Sequence, residues 1–290
     1  MKRVLLSVLL ACFAPLSLAL APYIQGTKLA PAELGAQLNA VEAKLKEAGF
    51  AVIGRHMPKG LPQSASLVVT DAGLLQALRG VGGSAVVAAG IRVGVQADGT
   101  VSYINPGYWH RAFVRDKFAS VEAASKAVQA KLAAALGAGQ PFGGDVDEGD
   151  LARYRYMFGM ERFDSDNSLI ATHASFEEAL ATVRGNLDKK VGDTAKTYEV
   201  VMPERKVAVL GVAMNNADSG EGWWVNKING APHVAALPYE VFIVDNKVYA
   251  LYARFRIALS WPELGMGQFM GIFNAPLAIQ DIMTKVASKP

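Results

Sequence analysis

The hydrophobic pattern of this chain runs through one order of segments twice, and that repetition limits the possible folds more than any single motif does. Residues 31–49, PAELGAQLNAVEAKLKEAG, place Leu34, Leu38, Val41 and Leu45 at helical spacing, with Pro31 suited to the first turn and Gly49 to the stop. Residues 175–190, SFEEALATVRGNLDKK, place Phe176, Leu180, Val183 and Leu187 in the same phase, each 142 positions after its counterpart. Ser175 and Glu178 have capping-box spacing. One matched stripe is weak, because all helices share a period; the segments that follow carry the argument. Each helix leads into an extended run ending in Met-Pro (Met57-Pro58 and Met202-Pro203), then into a second apolar run, SASLVVTD or VAVLGVAMN.

Further on, GGSAVVAAGIRVGVQADGTVSYIN aligns with GAPHVAALPYEVFIVDNKVYALY across one gap. Val93 matches Val241, Val95 matches Ile243, and Val101 matches Val248. Asp98-Gly99 and Asp245-Asn246 have the composition of hairpin turns. Each half ends in a helical stretch, 120–136 with Ser120 as cap and Gly137 as stop, and 276–287. The pattern predicts an α+β chain of two tandem related copies, each a small, largely antiparallel sheet packed with helices, docked as a pseudo-dimer. The expected organisation is a leader over 1–21, a first repeat over 22–140, a connection over 141–168 and a second repeat over 169–290. In the connection, Leu151, Tyr154 and Phe158 predict a short helix with Asp150 as N-cap.

The leader reads from Met1-Lys2-Arg3 into the apolar run VLLSVLLACFAPLSLALA, the charge and hydropathy profile of a secretory signal. Cleavage after Ala21 is the first expectation and cleavage after Ala19 the second, since Pro22 would follow the first cut. A lipoprotein reading at Cys12 is weaker, because its apolar run is short and continues beyond the cysteine. Cys12 is the single cysteine of the sequence, so removal of the leader leaves no thiol for disulfides, nucleophilic catalysis or zinc–thiolate ligation. Export to the periplasm or the extracellular space follows, with no integral membrane segment after cleavage. Loss of Lys2 and Arg3 takes the formal charge from +3 to +1, which gives no basis for nucleic-acid binding.

The helix running into GFAVIGRH, with the sheet segments AGIRVGVQADGTVSYINP and LPYEVFIVDNKVYALY, resembles the family called domain of unknown function 302. The resemblance covers both halves and implies a compact α+β domain able to pair with another copy. It carries no catalytic motif and therefore no site residues. Gly107-Tyr108 after Pro106 fits its strand ending, whereas Ala253-Arg254 departs from it.

Tyr108, Trp109, His110 and Arg111 follow that predicted strand and combine two aromatics, an imidazole and a guanidinium, a set able to stack on a planar ligand and pair with its carboxylate. Arg254 and Arg256 occupy the aligned stretch of the second copy. These six residues are the expected ligand site, with packing between the copies as the competing use of the aromatics. The expected occupant is a small ligand or an envelope protein. No catalytic residue and no cofactor is assigned, although His110 would be the acid–base group of an enzymatic cleft.

The remaining motifs weigh less. The four histidines include no pair at metal-ligand spacing, so no metal site is assigned. Met157, Met160, Met266 and Met270 offer thioethers for copper or haem but are equally core filler. The acidic run at Asp145, Asp147, Glu148 and Asp150 lacks the continuation of a calcium loop. Trp223 and Trp224 are expected in a loop anchored on the sheet.

Overall fold

A computed structural model describes residues 18–289. The leader expected over 1–21 lies outside the described residues as far as position 17. Its last residues belong to the fold: β1 (Ala19–Leu20) pairs with β8 (Val146–Asp147). Ala21 is buried, and its carbonyl accepts from Asn105 Nδ2 at 2.9 Å.

The chain is mixed α+β, and among the described residues all strand pairs are antiparallel. The first sheet contains β2 (Tyr23–Gln25), β3 (Ala51–His56), β4 (Ser64–Thr70), β5 (Ile91–Gln96), β6 (Val101–Ile104) and β7 (Pro141–Phe142), in the order β3-β4-β5-β6-β2-β7. The second contains β9 (Leu169–Thr172), β10 (Thr194–Met202), β11 (Val207–Met214), β12 (Tyr239–Val244) and β13 (Lys247–Tyr249), in the order β10-β11-β12-β13-β9. Apart from β7, the two sheets follow one strand order. In each, the strand before the first helix returns to pair with the last strand of the hairpin. Each first strand also carries a bulge, at Val52/Gly54 and at Lys196/Tyr198.

The helices are α1 (Leu34–Glu47), α2 (Ala72–Val81), α3 (Pro106–Val114) and α4 (Glu122–Leu136), then α5 (Glu148–Leu151) in the connection, and α6 (Phe176–Asp188), α7 (Glu221–Lys227), α8 (Ala253–Ser260), α9 (Met266–Met270) and α10 (Ala275–Ala287). Apart from α9, they follow the same sequence in both halves. The stripes Leu38/Val41/Leu45 and Phe176/Leu180/Val183/Leu187 are buried against the sheets, because spacing of three and four keeps them on one face. Among the described residues no helix is long and apolar enough to cross a membrane.

Several local expectations need correction. Helix α1 starts at Leu34 rather than Pro31, and no side chain caps it. Ser175 does cap α6, but the Glu178 carboxylate reaches Ala174 N instead of Ser175 N, so the capping box closes one residue early. Ser120 ends a 3-10 segment (Arg115–Ser120), its hydroxyl donating back to Lys117 O, and leaves α4 without a side-chain cap. In the connection the helix is capped by Asp147 and ends at Leu151, leaving Phe158 94% exposed, since Gly159 (φ +81°) and the surrounding turns cannot extend a helical stripe. Trp223 and Trp224 lie in helix α7, not in a loop; Trp224 packs edge-on against Trp261 at 5.2 Å.

The halves interlock through two further 3-10 segments. Gly83–Ala89 from the first half lies on β11 and β12, and Ala231–Ala236 from the second lies on β4, β5 and β6. Ser66 Oγ donates to Leu237 O at 2.9 Å, and Arg92 Nε to Ala235 O at 3.1 Å. At the neighbouring edges β3 and β10 face each other closely: a Cβ on Gly54 would stand 2.5 Å from Thr197 O.

Candidate functional site

The six expected site residues are not gathered in one cleft. Tyr108, Trp109, His110 and Arg256 are 0–2% exposed. The stretch 106–114 is a helix, not a strand end, because Pro106 occupies its first turn and Asn105 caps it through Gly107 N at 3.1 Å. That helix is enclosed between the halves. Tyr108 Oη donates to Leu259 O at 2.8 Å, and Trp109 Nε1 to Pro22 O at 2.8 Å. His110 Nδ1 lies 2.9 Å from Ser125 Oγ; burial, with the charge of Arg92 nearby, pulls the imidazole down to about 4, so it is neutral near pH 7. This is the interface role set against ligand binding in the sequence reading.

Arg256 belongs to a buried ionic cluster. It grips Glu240 through Nε and Nη2, both at 3.1 Å, and donates to Ala236 O at 2.8 Å and to Ser260 Oγ. Arg92 Nη1 lies 3.5 Å from the same carboxylate, and the two guanidinium carbons stand 4.6 and 4.9 Å from the Trp109 ring centroid. Burial works against the charge of Arg256, but Glu240 more than offsets it and holds its pKa above the usual value. Arg92 is pushed down by burial and then by Arg256. This cluster ties the halves together in the aligned positions of β5 and β12.

The other two candidates face outward. Arg111 pairs with Glu148 at 3.1 Å. Arg254 pairs with Glu161 at 3.5 Å and lines a depression of about 210 Å³ with Tyr156, Trp261, Met157 and Met266. Two methionine spots thus meet there without a histidine in the wall. Met160 instead accepts from Tyr156 Oη at 2.8 Å. Among the described residues no three His, Cys, Asp or Glu side chains are grouped to hold a metal ion.

The larger cleft has in its wall Arg115, a residue that the sequence did not single out. It encloses about 570 Å³ between Ser84 and Arg115 of the first half, the 163–166 turn of the connection, and β12–β13 of the second half. Its floor follows strand alternation. Phe242 and Val244, with their cross-strand partners Tyr249 and Lys247, share one face, and the Phe242 and Tyr249 rings stack at 5.3 Å. Phe163 is buried against Phe255, with ring centroids 6.2 Å apart, which anchors the connection and sets Asp164 at the rim.

Arg115 itself has φ 57° and ψ −129°, unlike the ordinary left-handed Lys190 (57°, 37°) and Lys206 (49°, 44°). This region suits glycine, and holding an L residue there requires surroundings that fix the chain on both sides. Val114 and Phe118, both buried, supply that fixation. The Arg115 guanidinium lies 3.0 Å from Asp164 and 4.9 Å from the Phe163 ring centroid. Two smaller depressions, of about 150 and 240 Å³, also have Arg115 in their walls.

No family model, curated protein or solved structure matches this chain. Its functional reading therefore rests on its own geometry. Arg115 left no signal in the sequence, since nothing local marks a non-glycine residue for that conformation. The alternation of Val244, Lys247 and Tyr249 around the hairpin was the signal for the floor.

Proposed function

We propose that the protein is an exported, non-enzymatic binding protein that holds a small ligand in the cleft between its two halves. We further propose that the halves are copies of one α+β unit, related as the resemblance to domain of unknown function 302 implies. The repeated strand order, paired bulges and reciprocal 3-10 contacts support the duplication. The leader-like pattern before residue 22 supports export.

One observation carries the binding reading: a strained arginine stands at the rim of the inter-half cleft beside an aromatic floor. Backbone strain of this kind persists where a side chain must be aimed, and the cleft volume falls within the range of about 300–1,000 Å³ used for small ligands. An acid–base role for His110 has no comparable support, because that side chain is sealed between α3 and α4.

Native mass spectrometry of protein purified from its own compartment tests the reading. The wild-type protein should retain a small adduct, and Arg115→Gly should lose it. An adduct retained equally by both, or by neither, would refute the assignment.

A further inference from the structure

Building on the proposed ligand cleft, we infer that its ligand class is a zwitterionic α-amino acid with an apolar or aromatic side chain. The cleft presents both signs of charge over an apolar floor. Arg115 and Lys247 supply cations, while Asp164 and Asp166 supply carboxylates. Lys247 is exposed and has no carboxylate partner among the described residues. The Arg115–Asp164 pair is the one ion pair formed across the cleft by the described residues, with side chains 32% and 64% exposed. A pair that accessible is screened and easily exchanged.

An incoming carboxylate takes the place of Asp164 on the guanidinium, where a planar fork matches it. The ammonium group of the same ligand then takes the carboxylate that was displaced. A simple acid would leave the displaced Asp164 carboxylate without a cation, and a simple amine would meet the cations Arg115 and Lys247. Only a ligand carrying both charges gives Arg115 a new carboxylate and gives the displaced Asp164 a new cation. The floor provides the third contact, since Tyr249 is partly exposed and backed by Phe242, with Val244 and Leu169 beside it. Such a surface suits a ring or a branched side chain.

The test uses the whole protein and three probes that differ by one charge: L-phenylalanine, phenethylamine and 3-phenylpropionate. Isothermal titration should find saturable binding of L-phenylalanine, with each single-charge analogue weaker by at least tenfold. Asp164→Asn changes an exposed side chain and should weaken L-phenylalanine to the level of 3-phenylpropionate. Equal affinity for L-phenylalanine and 3-phenylpropionate, with loss of both in Arg115→Gly, would overturn the zwitterion while leaving a ligand cleft. Equal binding of L-phenylalanine by wild type and Asp164→Asn would overturn it as well. No binding of any probe, together with no retained adduct, would overturn both the inference and the cleft itself.

Discussion

Arg115→Gly and Arg115→Ala form a matched pair that isolates the backbone strain from the contacts of the side chain. Both variants lose the 3.0 Å pair with Asp164 and the guanidinium 4.9 Å from the Phe163 centroid. An exposed pair contributes about 0.2–1 kcal/mol, and the cation–π contact about 0.5–1 kcal/mol. These losses are common to both and cancel in the comparison. Alanine keeps a Cβ at φ 57°, ψ −129°, a conformation costing about 1–3 kcal/mol, whereas glycine adopts it freely. Against that gain, glycine enlarges the unfolded ensemble, a cost of about 0.4–1 kcal/mol. Glycine should therefore exceed alanine in stability by about 0.5–2 kcal/mol. For a chain of this size that is about 1–4 °C in Tm. Differential scanning calorimetry of the two variants side by side reads the difference. A melting point of Arg115→Ala equal to or above that of Arg115→Gly would refute the claim that strain is stored at this position.

Three other outcomes follow from the core and the interface. Glu240→Gln leaves two buried guanidinium groups without an anion and should cost about 3–5 kcal/mol in urea unfolding, while adding Arg92→Met should recover part of that loss. His110 has its folded pKa near 4 against about 6.5 unfolded, so between these values the unfolded chain binds more protons. Stability should thus fall as pH drops from about 6.5 to 4, by up to about 3 kcal/mol from this residue, and His110→Gln should make the fall of the urea midpoint shallower over that window. Burial of His233, whose pKa is likewise lowered to about 4, sustains the remainder. Gly54→Val would force β3 away from Thr197 O and Tyr198 Cβ, 2.5 and 2.8 Å from the new Cβ. A loss of about 1–3 kcal/mol is expected in a thermal melt, whereas Gly35→Ala in open space on α1 should be neutral or stabilising.

Much of the scaffold was legible because periodicity is a local property. The stripe Leu38, Val41, Leu45 requires only 3.6 residues per turn, and the phase of Val93, Val95 and Val101 requires only alternation about the Asp98-Gly99 turn. The candidate site was read less well for the opposite reason. Tyr108, Trp109 and His110 look like a ligand group when only their chemistry is considered. Whether they meet solvent depends on α8 and β2, which lie far away in the chain. Arg254 and Arg256 are two residues apart, yet one lines a surface depression and the other is sealed against Glu240.

The sequence by itself determined the amphipathic helices α1, α4, α6 and α10, the hairpin strands, the repeated order of these segments and the leader-like start, since each depends on neighbours within a turn or a hairpin. The tertiary structure alone decided which face of each half meets the other, which charges are buried and where the cleft opens. Those outcomes depend on closing two sheets over each other's 3-10 segments. Arg115 shows the consequence most directly: buried neighbours Val114 and Phe118 flank its glycine-like conformation, and the packing of the second half supplies the opposite wall of the cleft it lines.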